Sequence, residues 1–235
     1  MTLRRTVLTV VCVAGSLVPA WSARAEATGL YWTVSEETVD GESFAVGRLY
    51  VCLSQVYDSL LSVWQSDIQL TGGTFNHNDY FTDGLNSTAG SWLPYHFMPG
   101  IGNPAIDTFV TIGGDPVMWF DLADNTTSLD PSFTTDADSI GGGWYNWNPP
   151  NLQGAGVPMP GLPGYYALMG QFSTSLSGSA SKTLSVTFTQ TSVAGISVVY
   201  PHTELSGVFS FAVPAPGAVA LLAACGAVPR RRRRR

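Results

Sequence analysis

Leu184-Ser185-Val186-Thr187-Phe188-Thr189 alternates apolar and hydroxyl-bearing side chains without a break. A period of two puts Leu184, Val186 and Phe188 on one face of a strand and the hydroxyls on the other, so this stretch reads as a half-buried β-strand. The same alternation runs upstream from Phe44 to Leu53, with Phe44, Val46, Arg48 and Tyr50 set against Ala45, Gly47, Leu49 and Val51. Shorter β-branched and aromatic runs predict further strands over Leu30–Val34, Leu60–Trp64, Ile68–Leu70, Thr108–Ile112, Val117–Leu122, Tyr165–Phe172, Ile196–Tyr200 and Val208–Val213. No segment sustains a helical period. Short strands joined by polar turns predict an all-β chain, a single antiparallel β-sandwich of jelly-roll-like form. Two stretches, 75–103 and 124–163, read as long loops, which in a compact domain are functional or flexible.

Composition agrees with this reading. Hydrophobic residues make up 45% of 235 and charged residues only 12%, about half the usual share. The 25 glycines and 15 prolines favour turns over helices. Charge is segregated along the chain. Of 11 basic residues, Arg4, Arg5 and Arg24 lie near the start and Arg230 to Arg235 at the end, leaving only Arg48 and Lys182 between. All 17 acidic residues lie from Glu26 to Glu204, so the middle carries 2 − 17 = −15. Such a surface repels phosphate backbones, which argues against a nucleic-acid partner. It also keeps an extracellular protein soluble.

The N-terminus reads as a secretory signal, with basic Arg4-Arg5, an apolar run from Val7 to Val18, and Pro19 closing it. Ala23 and Ala25 supply the small residues of a cleavage site, and the mature chain is expected to begin at Glu26. The C-terminus has three parts: Val213-Pro214-Ala215-Pro216-Gly217, then an apolar run from Ala218 to Val228, then Pro229 and Arg230-Arg231-Arg232-Arg233-Arg234-Arg235. An apolar helix-forming run ahead of a basic cluster is a stop-transfer signal, with the arginines held in the cytoplasm and the domain outside. The run is short for a bilayer span, which suits temporary holding. The expected organisation is a signal peptide at 1–25, a sandwich domain at 26–213 and a sorting segment at 214–235. The middle then holds about 188 residues (213 − 25), enough for one domain with a sizeable core.

This tail resembles the PEP-CTERM sorting signal, with Val213-Pro214-Ala215-Pro216-Gly217 in place of the Pro-Glu-Pro motif and Ala215 where the glutamate stands. The resemblance covers about Val213 to Arg235. It implies an exported bacterial protein that meets the secretion translocon, is held transiently at the inner membrane, and is cut near the proline motif by an exosortase, a membrane cysteine protease-transpeptidase. Such proteins accompany extracellular polysaccharide and an outer membrane. An ordinary single-pass anchor with a basic stop is the alternative, and it too places the domain outside the cytoplasm. The middle is similar to other exported proteins with this tail through Asp107-Thr108-Phe109-Val110-Thr111-Ile112-Gly113, Thr127-Ser128-Leu129-Asp130-Pro131 and Gly143-Trp144-Tyr145-Asn146-Trp147-Asn148-Pro149-Pro150-Asn151-Leu152-Gln153-Gly154. That likeness implies a β-sandwich and no activity.

The chemistry-bearing candidates are few. Trp144, Tyr145 and Trp147, among glycines and asparagines, can stack on sugar rings as a carbohydrate-binding loop, or can pack back onto the sandwich and pin a proline-rich loop. Trp92, Tyr95 and Phe97 raise the same question. Asp121, Asp124, Asp130, Asp136 and Asp138 supply oxygens of the kind calcium uses, but the glutamate that closes a calcium loop is absent, and solvated turn aspartates explain them equally. Apart from calcium no cofactor is implied. His77, His96 and His202 are scattered, and no hydrolase, zinc-protease or phosphate-cradling motif is present. Cys52 is the one cysteine left in the middle, so no disulfide forms within it. The residues point to a non-enzymatic cell-envelope or matrix protein. A polysaccharide-binding module is the alternative, and a secreted hydrolase comes last.

Overall fold

A computed structural model describes residues 27–56, 58–77, 92–94, 103, 105–113, 126–178, 181–194 and 198–213. Both expected sorting segments, the expected strand at 117–122, and Tyr95, His96, Phe97, Asp121 and Asp124 lie outside these residues, as does the His202 side chain. The described chain is all-β: β1 (Ala27–Val39), β2 (Glu42–Leu53), β3 (Ser59–Thr71), β4 (Phe109–Val110), β5 (Thr127–Leu129), β6 (Thr134–Thr135), β7 (Ser139–Asn146), β8 (Val157–Pro158), β9 (Tyr165–Ser175), β10 (Thr183–Ala194) and β11 (Val198–Ser210). They form two antiparallel sheets. One runs β1-β2-β9-β4 with β8 on β9; the other runs β11-β10-β3-β7-β5 with β6 on β7.

β10 behaves as the period of two requires, whereas β2 is buried on both faces, Phe44, Val46 and Tyr50 included. Leu184, Val186 and Phe188 are buried, and so are Leu49, Val51 and Leu53 opposite them. Trp32 stacks between Phe172 and Phe209, with Phe211 at its edge. Its ring lies over Gly47, where a Cβ would sit 1.9 Å from the indole, so a side chain there would evict it. Residues of both sheets share one core, which makes the pair a β-sandwich.

Three expectations change. β1 and β2 reach well past Leu30–Val34 and Phe44–Leu53 and meet in a two-residue hairpin at Asp40-Gly41, both with positive φ (51° and 85°). The polar run Ser35 to Ser43 hid this, although Asp-Gly is the dipeptide that such a turn favours. The segments Leu60–Trp64 and Ile68–Leu70 are one strand, β3, bent by a bulge at Gln65 (φ 48°), and the runs expected at 196–200 and 208–213 likewise fall in a single strand, β11, which ends at Ser210.

The third concerns 124–163, expected as a loop, which contains β5, β6, β7 and β8. Gly141-Gly142-Gly143 looked like a loop because glycine weakens strands. Here each glycine admits a close neighbour instead. Cβ atoms would lie 2.9 Å from Thr134 Oγ1, 2.3 Å from Ser132 O and 2.5 Å from Val63 O respectively.

The two outer faces differ. That of the β1-β2-β9-β4 sheet is covered, with Tyr31, Tyr50, Phe109, Tyr166 and Leu168 buried beside Met159 and Leu162. That of the other sheet carries exposed side chains: Trp64, Asp67, Gln69, Ser185 and Val208.

Candidate functional site

The three aromatic residues singled out from sequence part company. Trp144 is 0% exposed, on the inner side of β7. Its Nε1 donates to Thr111 O at 3.0 Å, and its ring meets Phe133 edge-on. The ring is core, so it offers no face to a sugar. Tyr145 follows on the opposite face and is half-buried, paired with Ser62 of β3 and Ser128 of β5. Trp147, just past the strand end, is 62% exposed. Its N–H donates to Thr126 O, which carries the ladder one residue beyond β7.

The amides around these rings face inward. Gln153 Oε1 accepts from the Thr126 N–H at 2.7 Å, while its Nε2 donates to Ile112 O at 2.8 Å. Asn151 Nδ2 donates to Thr126 Oγ1 at 2.7 Å. Asn146 Nδ2 donates to Asn151 Oδ1, and Asn146 Oδ1 accepts from the Asn148 N–H. The network fastens the turn Pro149–Asn151 across the gap between the sheets. Gly154 and Gly113 complete the lock, since Cβ atoms there would sit 1.9 Å from Leu60 O and 1.8 Å from Gln153 O. The Asn/Gln/Gly part of this motif is therefore architecture. Buried amides of this kind are expensive to leave unpaired.

Among the described residues Asp130, Asp136 and Asp138 form no metal-holding group. Asp130 Oδ1 accepts from the Ser132 N–H and hydroxyl at 2.8 and 2.6 Å. Those donors, the hydroxyl first and the amide second, hold its carboxyl below the ordinary value of 3.8. Asp136 caps its own turn through Ser139. Among the described residues no three His, Cys, Asp or Glu side chains form a group able to hold a metal ion.

One polar constellation had no signal in the sequence. His77 stacks on Trp92, with ring centroids 4.0 Å apart and planes 14° from parallel. Its Nδ1 lies 3.2 Å from Asp107 Oδ1 and 3.0 Å from Thr108 O. Both partners accept, so the Nδ1 nitrogen carries the proton. Beside it, Asn76 N–H donates to Ser173 O and Asn76 Nδ2 to Ile106 O. The visible work of the cluster is to tie 75–77 to the start of β4. Thirty residues separate His77 from Asp107, and no spacing rule joins them.

Compared with protein-family models, curated proteins and solved structures, the chain matches none. What the geometry defines is an antiparallel β-sandwich with one covered and one open outer face.

Proposed function

We propose that this chain is an exported, non-enzymatic protein of the cell envelope or extracellular matrix, carried out by its signal peptide and processed at its C-terminal tail by an exosortase. The observation that carries the reading is where the fold ends relative to the tail. Phe211 is buried, its N–H donates to Lys182 O, and Val213 packs against the core. The proline motif starts at the next residue, Pro214, so a cut there would leave every core residue in place. At the other end β1 begins at Ala27, one residue after the expected mature start at Glu26. The segment 218–228 serves as a transient membrane helix with Arg230 to Arg235 as its cytoplasmic stop.

Replacing Pro214 and Pro216 together with alanine tests the reading in the native host. Unprocessed protein is expected to accumulate in the inner-membrane fraction. A variant that is released like the parent would contradict exosortase recognition of this motif.

A further inference from the structure

We propose that the open face of the six-stranded sheet is a binding platform for an uncharged polysaccharide, built from Trp147, Tyr145 and Trp64. The inference deepens the alternative reading of an envelope protein that binds glycan, but places the site on the sheet and not on a loop.

Three observations put these rings on one surface. Tyr145 is paired with Ser62 and Ser128, while its neighbour Trp144 is paired with Val63 and buried, so Tyr145 faces outward. Trp147, two residues on with its backbone still in the ladder, has the same parity and lies about 6.6 Å further along. Trp64 is paired with Thr189 of β10, whose neighbour Phe188 is buried, so Trp64 also faces outward. It stands two residues from Ser62, the β3 partner of Tyr145, where the β3–β7 register breaks.

Aromatic side chains are the costliest to expose, yet Trp64 is 37% and Trp147 62% exposed. A row of rings on a sheet face matches the C–H faces of successive sugars better than it matches a single small molecule. Hydroxyl-binding groups flank the row. Glu204 is paired with Thr189 in the row of Trp64, and Asp67 lies on the same face. Thr189 Oγ1 donates to Trp64 O, so this hydroxyl keeps its acceptor capacity.

Charge selects the polymer. A domain of −15 with two basic residues repels uronic-acid chains, and no charged residue occurs between Asp138 and Lys182, a stretch that includes Tyr145 and Trp147. Position agrees as well. Val213 lies at the Lys182 end of the sandwich, and Trp147 at the Ser59 end. A chain held by its tail would point Trp147 away from the membrane.

Native affinity electrophoresis of the chain lacking only Arg230 to Arg235, whose charge would itself hold an anionic polymer, through gels containing dextran, hydroxyethylcellulose, galactomannan or polygalacturonate tests this. Retardation is expected in at least one neutral polymer and not in polygalacturonate. Trp64→Ala and Trp147→Ala are each expected to weaken it about tenfold. Val208→Ala, on the same face away from the rings, should leave it unchanged, and melting temperatures should confirm that all variants fold. Migration unaffected by every neutral polymer would overturn the proposal, as would retardation that survives the Trp64→Ala/Trp147→Ala double variant or is equally strong in polygalacturonate. None of these outcomes bears on tail processing, so the two proposals fail separately.

Discussion

At the scale of single residues, neighbours in sequence have opposite jobs. Trp144 fills the core and satisfies its N–H on Thr111 O, whereas Trp147 projects into solvent. Trp144→Ala is expected to lower unfolding free energy by about 3–5 kcal/mol, and Trp147→Ala by less than about 0.5 kcal/mol, in urea titrations. Equal effects would contradict the alternation of β7. A second residue-scale prediction concerns pH. Asp130 is held ionised by Ser132, so its folded pKa lies below its unfolded one. The stabilisation is present above the ordinary aspartate value and is lost as pH falls through the lower folded value. The carboxyl is solvent-accessible, so the effect on stability is small, and NMR titration reads it more directly. The Asp130 resonance should titrate below 3.8. Ser132→Ala should move that midpoint upward, and an unmoved midpoint would assign the shift to another cause.

At the scale of elements, glycines separate two kinds of constraint. Gly41 needs its positive φ but has open space around its Cβ position, so Gly41→Ala is expected to cost about 1–2 kcal/mol. Gly154 abuts the Leu60 carbonyl, where an added carbon has nowhere to go, and Gly154→Ala should destabilise more than Gly41→Ala in parallel thermal melts. The reverse order would mean that the amide-pinned turn is not the lock between the sheets.

These elements also show what could be read beforehand. A strand that buries one face, such as β10, announces itself by alternation; β2 buries both faces and was legible by its apolar and aromatic run. β7 offers neither sign, because its glycines answer to neighbours brought in from β3 and the turn at Ser132, which are unknown until the chain has folded. The hairpin at Asp40-Gly41 carried a local signal, obscured by its polar flanks. The platform was half legible. Tyr145 and Trp147 stood out by composition, but Trp64 joins them only through the β3–β7 register. The pairing of His77 with Asp107 is likewise a product of topology.

At the scale of the whole molecule, the sandwich has two unlike ends. One end of the sandwich holds the last core residues, Phe211 and Val213, next to the proline motif; the other holds the pinned turn and Trp147. Trimming both ends would also transform the electrostatics. The full chain carries −6, whereas the mature domain would carry −15 and would be more soluble and more strongly repelled by anionic surfaces. Intact-mass analysis of the protein purified from its native host decides whether both ends are removed. The predicted mass is that of a chain beginning at Glu26 and lacking Arg230 to Arg235. A mass that retains the six arginines on the mature protein would contradict processing at the tail.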